Sequence, residues 1–354
     1  MLVINALAAW IFKSTGNQIA NSTVIIIDGH KQPDDKMQNR LYPLTHKNLS
    51  EIKENILATL AYFDMFNYPL TRAEVYLFLG NKFNYDSFGD AIKCLVDNGT
   101  IHQFDKFYTL SADHYIAVRR LEGNQKAAEL IKIAEKVGKL LIKFPYVRGI
   151  AISGSLSKNF ADADSDVDLF IITEKNRLWI ARTLMHCFKK VTFLVNKEHL
   201  FCMNYYIDMQ QLEIPEKNIY TAIEVGTLIP LQGDIIFEKF YAANTWTREF
   251  LPNKNMRISS AMPVKKNFFK MLFEGLFSFS VGNALDNMLM NITTNRWLKK
   301  TLLKRLNSHG NVLSLLTDKH FAKPDPKNFQ GNLLSKYEYK VSDLILKHES
   351  SLAH

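Results

Sequence analysis

The sequence predicts a mixed α/β core with a small helical domain ahead of it and a helical region behind it. Three observations carry that expectation. VRGIAIS and DVDLFIIT are short apolar runs bounded by polar turns and read as buried strands. NRLWIARTLMHCFKK reads as an amphipathic helix between the second run and a further apolar run, VTFLV, and FCMNYYID reads as another strand, so strands and helix alternate. Residues 51–146 and 215–354 are dominated by helical spacing with Gly and Pro stops.

The bulk numbers agree with a folded protein. A chain of 354 residues suggests two or three domains, and 47% hydrophobic with 22% charged residues supplies a core. A formal net charge of +9 favours anionic partners. Cys94, Cys187 and Cys202 show no CxxC spacing, which argues against a disulfide framework or zinc cluster and fits a reducing cytoplasm. No apolar run reaches the ~20 residues of a membrane span. The opening MLVINALAAWIFK is like a signal core, but it lacks a positive leader and a small-residue cleavage site, so export is not expected.

Along the chain, residues 1–50 form a leader whose order the sequence leaves open. In 51–114, EIKENILATLAYFDMF places Ile56, Leu57, Leu60 and Phe63 at helical spacing, Thr71 and Glu74 have capping-box spacing, and DSFGDAIKCLVDNG makes a third helix. IHQFDKFYTL then alternates about Asp105-Lys106 like a hairpin. Three helices and a hairpin suggest a winged helix-turn-helix. Its third helix carries Asp86, Asp90, Lys93 and Asp97 outside, an acidic surface that disfavours DNA. Residues 115–146 form a connecting helix, 147–214 the core, and 215–354 a helical region. Within the last, FFKMLFEGLFSFSVGNALDNMLMNI is interrupted by Lys270, Glu274 and Asp286 and reads as a buried helical hairpin, with a hydrophobic partner surface as its alternative use. Lys299, Lys300, Lys304 and Arg305 form a basic cluster, read as a solvated face or a contact for an acidic partner.

The chemistry concentrates in GSLSKNFADADSDVDLFIIT, residues 154–173. Asp166 and Asp168, two apart on an extended segment, point to one face. Adjacent carboxylates repel unless a cation lies between them, and Mg²⁺ takes one or two carboxylates together with substrate phosphates. Two such ions ~4 Å apart can activate a hydroxyl and hold a leaving oxygen. Gly154 lets backbone approach a phosphate, and Ser155 offers a hydroxyl.

Gly154-Ser155, nine residues, then Ser165-Asp166-Val167-Asp168 resembles the GS…SDxD signature of the DNA polymerase β-like nucleotidyltransferase superfamily, with a spacing similar to that of the aminoglycoside nucleotidyltransferases. The likeness covers roughly residues 147–214. It implies a polymerase-β-like core with two Mg²⁺ ions (Mn²⁺ as an alternative) on Asp166 and Asp168, and a nucleotide held by Gly154, Ser155, Ser165 and Lys158. It also implies a third carboxylate on a neighbouring strand, as metal ligand or base. Asp208, at the end of FCMNYYID, is the expected residue; Asn204, on the same face, is the rival, and it would leave the third acid missing. Glu198 and Glu213 are weaker candidates. Arg182 and Glu224 read as structural, and His186 and His199 as ordinary core or surface histidines.

The expected reaction is transfer of a nucleoside monophosphate from an NTP to an acceptor hydroxyl on a small molecule, RNA or protein, with release of pyrophosphate. The alternatives are a non-catalytic nucleotide-sensing or winged-helix regulator, and a toxin or defence nucleotidyltransferase acting on tRNA or protein.

Overall fold

The computed structural model describes residues 46–193, 202–256, 261–265, 267–277, 279–305, 315–324 and 329–352. The expected leader lies outside these residues up to Thr45, as do Glu198 and His199.

The first elements are α1 (His46–Asp64), β1 (Leu70–Thr71), α2 (Arg72–Leu77), α3 (Tyr85–Asp97), β2 (His102–Phe104) and β3 (Phe107–Thr109). The strands form an antiparallel sheet in the order β1-β3-β2. The Thr71–Glu74 capping box is complete: Thr71 Oγ1 accepts from Glu74 N, and Glu74 Oε2 accepts from Thr71 N at 2.8 Å. Asn84 caps α3 by accepting from Asp86 N and Ser87 N. The apolar stripe expected of α3 is inside, with Phe88, Ala91, Ile92 and Leu95 buried.

Helix α4 (Tyr115–Leu141) joins this module to the core. Its anchor is the buried Arg120, which donates to Glu74 Oε1 (2.8 Å), Pro69 O (3.0 Å) and Asn124 Oδ1 (2.8 Å) and lies 3.7 Å from the Tyr68 ring centroid. A buried guanidinium is tolerable only when its donors are matched in this way.

The core consists of β4 (Val147–Ile152), the short turn of helix α5 (Gly154–Ser157), β5 (Asp168–Thr173), α6 (Leu178–Phe193), β6 (Cys202–Asp208), α7 (Ile219–Thr227), β7 (Ile229–Gln232), α8 (Asp234–Ala243) and α9 (Thr247–Phe250). It is followed by α10 (Phe268–Leu276), α11 (Ser280–Leu302), β8 (Leu315–Thr317), β9 (Phe321–Pro324) and α12 (Phe329–Leu352). The sheet has six strands in the order β7-β4-β5-β6-β9-β8. Only β5 and β6 are parallel; the other pairs are antiparallel.

Alternation along the strands fills both faces of the sheet. Ile150, Ile152, Leu169 and Ile171 join Trp179 and Met185 of α6 and Ala127 and Ala134 of α4. Ala151, Phe170 and Ile172 face Phe237 and Phe240 of α8 and Ile223 of α7. Helix α12 returns to α1, where Tyr337 and Tyr62 meet edge to face at 5.7 Å and Lys340 pairs with Asp64.

Three expectations are corrected here. The VTF of VTFLV extends α6 rather than starting a strand, because the helix runs unbroken through Phe193. The region 215–354 is not purely helical: it supplies β7 beside β4 and β9-β8 beside β6, so the core is not confined to 147–214. These strands have three or four residues; β7 and β8 sit at the sheet edges, where Pro230 is tolerated, and Pro324 is the last residue of β9. Finally, the segment expected as a buried hairpin forms two successive helices, α10 and α11, that are not buried. Lys270, Glu274 and Asp286 face inward, and much of its apolar surface faces outward.

Candidate functional site

The site lies where β4 ends and β5 begins. Ser153 N donates to Asp168 O at 2.9 Å, which closes the antiparallel pair at its last rung. The next residue, Gly154, has φ +66°, the left-handed region that disfavours a side chain. A Cβ there would lie 2.6 Å from Asp168 Oδ2, so glycine is required by backbone conformation and by space alike. The α5 turn that follows exposes Ser155 and buries Leu156.

Between the turn and Asp168 the loop is tied down at several points. Asp162 N donates to Ser165 Oγ at 2.7 Å, so the Ser165 hydroxyl serves its own loop. Arg119 of α4 grips the Asp162 carboxylate with both oxygens (2.9 and 3.0 Å), and Lys126 donates to Ala163 O. Gly123 on α4 makes room for the Phe160 ring, which a Cβ would meet at 2.3 Å. The result is an exposed Asp166, a fully buried Val167 and a half-buried Asp168 at the edge of a rigid support.

The carboxyl of Asp168 is pushed up to about 7, chiefly by burial and then by the charges of Asp166 and Glu224; Lys158 and Lys189 oppose the shift. Two crowded carboxylates of this kind carry their full charge comfortably only with a cation between them. The donor set of two hard oxygen ligands beside a phosphate-permissive glycine fits Mg²⁺ or Mn²⁺.

Asp208 is not part of this group. β5 and β6 run parallel with Asp168 opposite Cys202 and Thr173 opposite Asp208, so Asp208 lies at the far end of the strand pair. It is fully buried and accepts from Asn176 N, Gln210 N and Gln211 N, with His320 Nδ1 at 2.8 Å. Its carboxylate ties turns together, and the expectation that it completes the site is corrected. Asn204 is the residue beside Asp168. It occupies the register shift between Leu169 and Phe170, its Nδ2 donates to Asp168 Oδ1, and its Oδ1 accepts from Cys202 Sγ at 3.1 Å. A bulge at the mouth of a site re-aims one side chain, and here the re-aimed side chain is neutral.

Lys158, expected at the phosphates, turns toward the protein. Its Nζ lies 2.7 Å from Glu224 Oε1 on α7 and donates to Gly154 O at 3.1 Å, while Tyr68 OH donates to Lys158 O. Ser157 Oγ bridges from Gly154 O (2.8 Å) to Thr227 Oγ1 (3.2 Å), so α7 backs the whole turn. Glu224, read as structural from sequence, is thus an acid of the site's surroundings. It is separated from the motif by 56 residues, and no local pattern marked it. Arg182 and His186 lie in α6 against Tyr206, and burial holds both below their ordinary pKa, His186 at about 3. Lys299, Lys304 and Arg305 are exposed and Lys300 half-buried at the end of α11.

Residues 118–222 match the family of nucleotidyltransferase domains, from within α4 to within α7. That segment is consistent with the DNA polymerase β-like superfamily, and the match supports nucleotidyl transfer as a class of chemistry. It also starts earlier than the expected core, taking in the helix that carries Arg119 and Gly123. Neither the curated proteins nor the solved structures contain a match to the chain. No helix among the described residues is long and apolar enough to cross a membrane.

Proposed function

We propose that the chain moves a nucleoside monophosphate from an NTP to an acceptor hydroxyl. The acceptor oxygen bonds to the α-phosphorus as the bond to pyrophosphate breaks, and the hydroxyl proton is released to solvent. The observation that carries this reading is the apposition of Gly154 to the Asp168 carboxylate, with Asp166 two residues upstream. Asp166 and Asp168 would hold Mg²⁺, which supplies charge neutralisation to the triphosphate when bound. Gly154 and Ser155 would receive the phosphates, with Ser165 and Lys158 shaping the loop and turn that present them. The Lys158–Glu224 pair holds the turn against α7 in the free enzyme.

The acceptor is a small molecule, RNA or protein. The N-terminal module is read as a winged helix that contacts protein rather than DNA, since Asp86, Asp90 and Asp97 surround Lys93 on the outer side of α3. The free cysteines Cys94, Cys187 and Cys202 fit a cytoplasmic setting.

The test is incubation with each α-labelled NTP, Mg²⁺ and cell lysate. Label is expected on one acceptor class, and Asp166→Ala with Asp168→Ala should abolish it. Transfer unchanged in the double variant refutes the reading. A second reading is favoured by one observation, the neutral Asn204 beside Asp168: the domain binds a nucleotide without transferring it and serves as a sensor. Tight Mg²⁺-dependent NTP binding with no label moved would support that alternative.

A further inference from the structure

Helix α10 presents its two sides in an unusual sense. Its charged residues face the protein: Lys270 donates to Ile142 O (2.9 Å) and Val147 O (2.6 Å), and Glu274 accepts from Tyr146 N and Arg148. The apolar side faces out, through Met271, Leu272, Leu276 (68% exposed) and, just past the helix, Phe279 (81%).

Helix α11 repeats the pattern. Asp286 is buried and accepts from Ile180 N at 2.9 Å, while Val281, Met288, Ile292, Leu298 and Leu302 are exposed. At 100° per residue these five fall within about a third of the helix circumference. Two successive helices therefore each offer an apolar stripe to the outside, a feature that marks interaction surfaces.

Charge narrows the occupant. Residues 261–305 contain eight Lys or Arg, of which Lys270 also turns inward, and two Asp or Glu. Both acids, Glu274 and Asp286, are spent inside the fold. At the end of α11 the exposed leucines interleave with bases: Leu298, Lys299, Leu302, Leu303, Lys304 and Arg305. A second copy of the chain would set like charge near like charge with no outward acid of these helices to answer it. A nucleic acid would meet the bases and leave the leucines and Phe279 wet. An anionic lipid surface answers both, with head groups for the bases and the acyl boundary for the apolar stripes.

We propose that the outward faces of α10 and α11 seat the protein on an anionic lipid surface, lying in the interface without spanning it. The proposal does not depend on the reading of the nucleotide site. The test is co-sedimentation of the full chain with phosphatidylcholine vesicles, with and without phosphatidylglycerol. Binding is expected only with phosphatidylglycerol, and it should fall at least tenfold between low and high salt. The double variant Leu276→Asp, Phe279→Asp should lose binding at least tenfold with its unfolding temperature kept within a few degrees, because both side chains are already exposed. Absence of wild-type binding to the phosphatidylglycerol vesicles overturns the proposal, as does equal binding by the double variant. A dimer by light scattering that the double variant dissolves, without vesicle binding by either protein, also overturns it and assigns the face to a second copy.

Discussion

Asn204 donates its side-chain amide to the carboxylate of Asp168 across the parallel strands β5 and β6. On the proposed reading of the site, a neutral group thus occupies the place where a third acid would complete it. Asn204→Asp should add a third hard ligand and raise Mn²⁺ affinity at least tenfold, followed by calorimetric titration. It should also lower the metal-free melting temperature, since three carboxylates would then crowd one strand end. Unchanged Mn²⁺ affinity would remove Asn204 from the site.

Gly154→Ala should be costly for two separate reasons. The left-handed backbone costs about 1–2 kcal/mol for an L-residue, and the new methyl would displace the Asp168 carboxylate that lies 2.6 Å from its position. Urea unfolding should register the first effect and Mg²⁺-dependent NTP binding the second, with binding lost by more than the stability change alone explains.

Asp208→Ala should behave in the opposite way. It removes a fully buried acceptor shared by Asn176 N, Gln210 N, Gln211 N and His320. The expected loss is about 3 kcal/mol of stability, because these partly buried donors lose the one buried charge they share. Mn²⁺ affinity of the folded variant should match wild type, since the residue stands at the far end of the strand.

The ammonium of Lys270 gives stability a pH slope. Burial is the main cause of its lowered pKa, about 8 against 10.5, with the nearby Arg148 charge adding to it. Between these values the unfolded chain holds a proton that the folded chain has released, so stability rises with pH across that window. The gain is about 3 kcal/mol at most, from 1.36 kcal/mol per pKa unit. Lys270→Met should flatten that part of the pH–stability curve measured by urea unfolding.

How far the fold can be read from sequence varies with the residue. The turn from β4 to β5 is legible because a glycine, a small polar stretch and two apolar runs each permit few conformations. The choice between Asp208 and Asn204 is not, because alternation puts both on one side of a strand and only pairing with β5 tells the near end from the far one. Four residues of strand span about 13 Å, enough to separate a ligand from a cap. The outward orientation of α10 and α11 is not legible for a related reason. A helix with one apolar and one charged side has the same periodicity whichever side meets the protein, and Lys270 and Glu274 find their partners in β4 and the turn before it, far away in sequence. Strands β7, β8 and β9 are too short to carry a period.

The bond from Asp208 N to His320 O, at 3.0 Å, joins β6 to a partner made 112 residues later. During synthesis at ~5–20 residues per second, β6 therefore waits on the order of 5–20 s for β9 to emerge and cover its edge. Over that interval a strand edge and the buried Asp208 carboxylate both lack their final partners, so the nascent chain is open to self-association at that edge until β9 arrives. A ribosome that stalled in that window would release a species with its nucleotide motif already made and its sheet still open.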